Sequence, residues 1–153
     1  MKLYLETTVP NFLFADDAPE KQRITKLFFQ WLRICPDELY SSAVVTDELS
    51  RAPAAKLRQM RKALAALPIT LLDTPREAQT VAQLYLNAGI IPRQFENDAL
   101  HVAVAVCHWL DVVVSWNMKH LVNVRKVEAI NRVNVAHDLP SIRVHTPEEV
   151  MDL

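Results

Sequence analysis

Glycine is almost missing from this chain: Gly89 is the only one in 153 residues. With no tract rich in Ser, Gly or Pro and no block of like charge, nothing marks a linker or a tail, and no internal repeat is visible. Cysteine is scarce as well. Cys35 and Cys107 lie far apart in apolar helical contexts that fit no metal-ligand spacing, so they are expected to be small buried hydrophobes in a reducing compartment. Net charge is lacking too, since 17 Lys and Arg face 18 Asp and Glu. That balance excludes the long-range basic field of a protein that coats DNA, and any nucleic-acid contact must come from a local patch. No apolar run approaches the about 18 residues of a membrane span, and the first one, Met1-Lys2-Leu3-Tyr4-Leu5-Glu6, breaks on an acid. Neither export nor membrane insertion is expected, and a cytoplasmic location is.

What is present is apolar. Half the residues are hydrophobic and 23% are charged, and a chain of this length buries roughly two-thirds of its unfolded surface. A single domain over residues 1–153 is expected. Its organising stretch is Glu96 to Cys107, a helix that is greasy on nearly every side yet opens on Glu96, Asn97 and Asp98. Such a helix must be buried, so it is expected to lie on a sheet with its N-terminus at the sheet's edge. His101 shares a face with Asp98, three positions earlier. Alone, the pair reads as a helix-start acid and a structural histidine.

Along the chain, short apolar strands alternate with helices. Leu3 to Leu5 is a strand ending in Glu6-Thr7-Thr8; Val9-Pro10 breaks it, and a helical period runs from Pro19 to Ile34. Glu38 to Ser42 is a second strand, with Ser42 as N-cap of a helix carrying Glu48. A further helix spans Ala54 to Leu67, Ile69 to Leu72 is a third strand, and Thr74-Pro75-Arg76-Glu77 resembles a capped start for a helix to about Asn87. Beyond the organising helix come a strand at Val112 to Val114 with Ser115, a helical segment over Asn123 to His137, a strand at Ile142 to His145, and a last helix capped by Thr146-Pro147-Glu148-Glu149. No two-residue hairpin signal separates the strands. The pattern predicts an α/β protein with a mostly parallel five-stranded sheet covered by helices on both faces, whose site lies beyond the carboxyl ends of the strands.

At that edge the polar residues collect. Glu6 follows the first strand, Glu48 lies on the helix after the second, Asp98 heads the buried helix, and Asn117 follows the fourth strand. Converging carboxylates repel one another unless a cation sits among them. Magnesium suits an all-oxygen site that keeps its waters and uses one or two carboxylates plus substrate phosphate. The expected chemistry is metal-assisted phosphodiester hydrolysis, with the ion activating water. Glu48 competes with neighbouring Asp47 for its role, and Asn117 reads equally as a turn residue capping the next helix. His101, His120 and Lys119 read as structural or supporting residues.

Four segments together resemble the PIN-domain family, metal-dependent ribonucleases that include the toxin halves of bacterial toxin–antitoxin pairs. They are Leu3-Tyr4-Leu5-Glu6-Thr7-Thr8, Ser42 through Glu48, Asp98-Ala99-Leu100-His101-Val102-Ala103-Val104-Ala105, and Ser115-Trp116-Asn117-Met118-Lys119-His120-Leu121. The resemblance spans nearly the whole chain in order. It implies a three-layer α/β/α sandwich with strand order 3-2-1-4-5. It places the family's first aspartate on Glu6, its helix glutamate on Glu48, its central aspartate on Asp98 and its last acidic position on Asn117, with Thr7 at a hydroxyl position beside the first acid. Glu6, Glu48 and Asp98 would hold Mg²⁺ or Mn²⁺. Glu6 departs from the family by one extra methylene and Asn117 by its missing charge, leaving three formal negatives in place of four.

The resemblance implies a metal-dependent endoribonuclease, the toxin of a pair, with RNA as substrate and an antitoxin protein as partner. The two departures define the other reading, a catalytically weakened PIN-like domain that binds RNA or protein. A phosphatase or response-regulator-like module also uses acids at strand ends, but no lysine follows a late strand in the required way. Arg51, Lys56, Arg58, Arg61 and Lys62 form one candidate phosphate-tracking face, and Arg93, Lys119, Arg125 and Lys126 another, against the plain alternative of solvated helix faces. Phe28, Phe29, Trp31 and Leu32 wrap around more of their helix than one core stripe needs, which suggests a homodimer surface or an antitoxin groove.

Overall fold

The computed structural model describes all 153 residues. Five strands, β1 (Lys2–Leu5), β2 (Glu38–Ser42), β3 (Ile69–Leu72), β4 (Val112–Val114) and β5 (Arg143–His145), form one sheet in the order β3-β2-β1-β4-β5, and every pairing is parallel. The helices are α1 (Thr8–Phe12), α2 (Pro19–Leu32), α3 (Ala43–Leu49), α4 (Ala54–Ala65), α5 (Arg76–Asn87), α6 (Glu96–Cys107), α7 (Val124–Ala136) and α8 (Pro147–Met151). The α/β sandwich and its strand order match the sequence reading.

Side chains alternate across the pleat, so each strand feeds two cores. Tyr4, Val113 and Val144 face a layer built from α3, α5, α6 and α7. Leu3, Leu5, Leu39, Val112 and Val114 face the other layer, with Phe28, Phe29 and Leu32 of α2 and Val150 of α8. The α6 helix has the boundaries its sequence predicted, and Ala99 and His101 through Val106 are all buried between the sheet and α5. Each buried Val there contributes about 1.5–3 kcal/mol relative to exposure. An apolar helix packed this way has one free end, and that end carries the acids.

Several local expectations change. Phe28, Phe29 and Leu32 are internal, and Trp31 is half-buried and stacked on Phe28. The α2 helix touches the sheet, α1 and α8, so more than one of its faces is covered from within the chain. Phe28, Phe29 and Leu32 therefore offer no exposed surface for self-association. The helix after Thr74 begins at Arg76 with Pro75 in the cap position, and the buried Thr74 hydroxyl has no hydrogen-bond partner. Cys35 and Cys107 are free and only half-buried. No helix is long and apolar enough to cross a membrane.

Candidate metal centre

Glu6 is the first residue beyond β1, and its backbone N–H donates to Val114 O at 3.1 Å, which extends the pairing with β4 by one step. The residue is 3% exposed. A carboxylate so buried needs donors, and it has three on one oxygen. Thr8 N and Ser115 Oγ donate to Oε2 at 3.1 and 2.8 Å, and Thr8 Oγ1 donates to the same atom. Thr8 Oγ1 is itself held by the N–H of Trp116 at 2.8 Å. The other oxygen, Oε1, accepts no hydrogen bond and lies 3.8 Å from His101 Nε2.

Ser42 caps α3 by accepting from Val44 N, which sets the helix so that Glu48 faces inward. Asp47, its rival in the sequence, points to solvent and pairs with Arg51 at 3.0 Å. Glu48 Oε1 accepts from Thr7 Oγ1 at 2.8 Å and contacts His101 Nε2. Burial pushes the Glu48 pKa upward, but the hydrogen bonds from His101 and Thr7 and the positive charges of His101 and Arg51 outweigh it, so the carboxyl sits below its usual range.

His101 is fully buried. Its Nδ1 is 2.8 Å from the hydroxyl of Tyr4, which is 2.7 Å from Ser42 Oγ. Burial works to lower the His101 pKa, yet the bond to Glu48 and the negative charges of Glu6, Glu48 and Asp98 raise it above the ordinary value. The Tyr4 hydroxyl is pushed far up by burial and stays protonated.

Asp98 stands in a second group. Its Oδ2 accepts from Asn117 Nδ2 at 3.1 Å and meets His120 Nδ1 at 2.8 Å. Asn117 Oδ1 accepts from His120 N at 3.0 Å, so the residue also caps the turn after β4, as its type suggested. The Asn117 N–H donates to Ser115 Oγ, which donates to Glu6, and so the two groups are joined. Phe95, at the head of α6, lies against the His120 ring with centroids 4.2 Å apart.

Glu6, Glu48 and His101 thus form one cluster, with a possible ligand atom from each lying within 4.8 Å of the others. Asp98 and Asn117 form its neighbour. Sequence reasoning missed Thr8 and Ser115, which fix Glu6, and gave Thr7 to the first acid when it serves Glu48. His101, expected only in a supporting role, is a full member of the cluster, and a lone imidazole inside an otherwise apolar helix is the signal that marks it. Two carboxylates with oxygens facing each other beside a buried ring fit a divalent cation, and no lysine or arginine fills the gap.

A cleft of about 300 Å³ opens beside Glu48 and is lined by Thr7, Asn11, Arg51 and Lys56 among others. Two residues of the first basic face, Arg51 and Lys56, therefore border the cluster. The second is partly tied up, because Arg93 bonds Gln83 and Asn87 and Lys126 Nζ donates to Ile90 O.

No family model matches the sequence, and no curated protein matches it either. Solved structures do. The chain superposes on one in the crystal structure of VapBC2 from Rickettsia felis bound to a DNA fragment from their promoter, with a TM-score of 0.58 over 95% of this chain and 98% of that one, at 14% identity. A chain of VapBC-1 from nontypeable Haemophilus influenzae gives a TM-score of 0.51 over 84% of this chain and 94% of that one, also at 14% identity. Identity this low carries the fold and nothing finer. The shared fold is the parallel five-stranded α/β sandwich that the sequence reading implied.

Proposed function

We propose that this protein is a metal-dependent endoribonuclease of the PIN type and the toxin of a toxin–antitoxin pair. The observation that carries this reading is Glu6: a buried carboxylate clamped by three donors on one oxygen, with its other oxygen bare and turned toward Glu48 and His101. The three donors leave Oε1 free beside the His101 ring, where a cation could take it as a ligand. The shared fold with chains of two VapBC toxin–antitoxin assemblies supports the toxin role and an antitoxin partner.

Glu6 and Glu48 would hold the cation, and Asp98, the third acid that the resemblance implies, would act on it from the neighbouring group. When bound, a Mg²⁺ or Mn²⁺ ion supplies electrostatic stabilisation of the phosphodiester undergoing attack and acidifies water. The chain's own residues do the positioning. Thr8 and Ser115 fix Glu6, Thr7 and His101 fix Glu48, and Asn117 with His120 fixes Asp98. Lys56 and Arg51 line the adjoining cleft and would take a neighbouring RNA phosphate there.

One observation favours the weakened reading: Asn117 does not face the cluster as a fourth acid but donates to Asp98. Under that reading the protein binds RNA or protein with little affinity for metal, and calorimetry with Mn²⁺ separates the cases. For the nuclease reading the test is cleavage of single-stranded RNA by the purified, partner-free protein. It predicts cutting that needs Mg²⁺ or Mn²⁺, stops with chelator and is lost in Asp98→Asn. Folded protein that cuts no RNA across many substrates with either ion contradicts it.

A further inference from the structure

The His101 ring is the one polar side chain in the buried run from Ala99 to Val106, and both its nitrogens are committed to specific places. Nδ1 faces the Tyr4 hydroxyl at 2.8 Å, and that hydroxyl faces Ser42 Oγ, itself the acceptor for Val44 N–H. Nε2 faces the gap between Glu6 and Glu48, 3.8 Å from Glu6 Oε1 and in contact with Glu48 Oε1. An imidazole whose Nδ1–H is held by an oxygen acceptor presents the Nε2 lone pair as a ligand, the usual arrangement of a metal-binding histidine. Here the oxygen facing Nδ1 is the Tyr4 phenol, which accepts from Nδ1–H when its own hydrogen goes to Ser42 Oγ. The bare Oε1 of Glu6, 3.8 Å from Nε2, is a second ligand atom within reach of an ion placed between these groups.

We propose that His101 Nε2 is a ligand of the cation site between Glu6 and Glu48, making it a mixed nitrogen–oxygen centre that prefers a first-row transition ion such as Mn²⁺ over Mg²⁺. Magnesium demands hard oxygen ligands and parts with its waters reluctantly, whereas first-row ions accept imidazole readily. In the ion-free protein the hydrogen between Nε2 and Glu48 Oε1 occupies the ligand direction. Binding expels that proton to solvent and leaves Nδ1–H on the Tyr4 oxygen. The inference rests on the proposal that Glu6 and Glu48 hold a divalent cation, and it stands apart from whether RNA is cut.

The test is pulsed electron paramagnetic resonance of Mn²⁺ bound to the whole chain, unlabelled and with ¹⁵N-histidine, alongside calorimetric titration with Mn²⁺ and Mg²⁺. The expected result is ¹⁴N modulation on the Mn²⁺ signal that becomes ¹⁵N modulation in the labelled protein and vanishes in His101→Asn. That variant should lose Mn²⁺ affinity by about 10–100-fold and Mg²⁺ affinity by far less. Because the isotope experiment uses the unaltered sequence, a variant that fails to fold leaves the result standing. Bound Mn²⁺ without histidine modulation, or modulation that survives His101→Asn and so belongs to another histidine, overturns the inference. Equal affinities for the two ions overturn it as well. Mn²⁺ bound through His101 in a protein that cuts no RNA supports the inference while the nuclease reading fails; cutting with Mg²⁺ in a protein whose Mn²⁺ shows no nitrogen does the reverse.

Discussion

Ser115 Oγ donates to Glu6 Oε2 at 2.8 Å across 109 residues of chain, joining the end of β4 to the end of β1. The bond closes the sheet's edge around a buried charge, and two hydroxyls with one backbone N–H then make a carboxylate stable where it is shielded from solvent.

Removing that hydroxyl is the first test. Ser115→Ala leaves Glu6 with two donors in a buried position, and a lost bond to a charged group costs about 1.5–3 kcal/mol. Urea denaturation of the metal-free protein should give a loss in this range. Divalent affinity should fall as well, because Glu6 Oε1 is no longer aimed.

Asn117→Asp separates the metal-free protein from the loaded one. The amide now donates to Asp98 Oδ2 at 3.1 Å, and an aspartate there removes the donor and sets two negative charges against each other. The melting temperature without metal should fall. The rise on adding Mn²⁺ should exceed that of the unaltered protein, since a ligand that binds only the folded state stabilises it in proportion to its affinity. A smaller rise than in the unaltered protein would remove Asn117 from any account of the site's charge.

The His101–Glu48 pair gives the stability of the metal-free protein a defined pH window. His101 is raised above its ordinary 6.5, so its contribution is complete below that value and is lost as pH rises through the higher folded value. Glu48 is lowered from 4.5, so its contribution is complete above that value and is lost as pH falls through the lower folded one. Stability from the pair is therefore greatest between 4.5 and 6.5 and declines on the alkaline side as pH rises from 6.5 through the raised His101 value, beyond which it no longer changes. Melting temperature against pH should show this alkaline decline in the unaltered protein and not in His101→Asn. Parallel curves would contradict it.

Thr74 offers a gain. Its hydroxyl is buried with no partner, and replacing an unsatisfied polar group by an apolar one of the same shape removes a desolvation penalty of about 1–3 kcal/mol. Thr74→Val should raise the urea midpoint and leave metal binding unchanged.

Much of this molecule is legible in its sequence. The α6 boundaries come from a run apolar on every side, which only a helix between two layers can satisfy, and the alternation of strands and helices without hairpin signals implies a parallel sheet. Glu6, Glu48, Asp98 and Asn117 all lie at the carboxyl edge of that sheet. The choice between Asp47 and Glu48 turns on helix phase, which the Ser42 cap sets. Hidden from the sequence are contacts between residues far apart in the chain. Tyr4 and His101 are 97 positions apart, and no local pattern says that a strand tyrosine will orient a helix histidine. The α2 aromatics mislead for a related reason: one stripe facing the sheet is expected, but α1 and α8 cover further faces, so surplus hydrophobicity goes inward.

The most direct test of the metal centre is anomalous scattering from crystals soaked in Mn²⁺. The predicted result is a peak among Glu6 Oε1, Glu48 and His101 Nε2 that disappears in Glu6→Gln. Ordered side chains in these positions with no peak between them, at ion concentrations that saturate known Mn²⁺ enzymes, would contradict it.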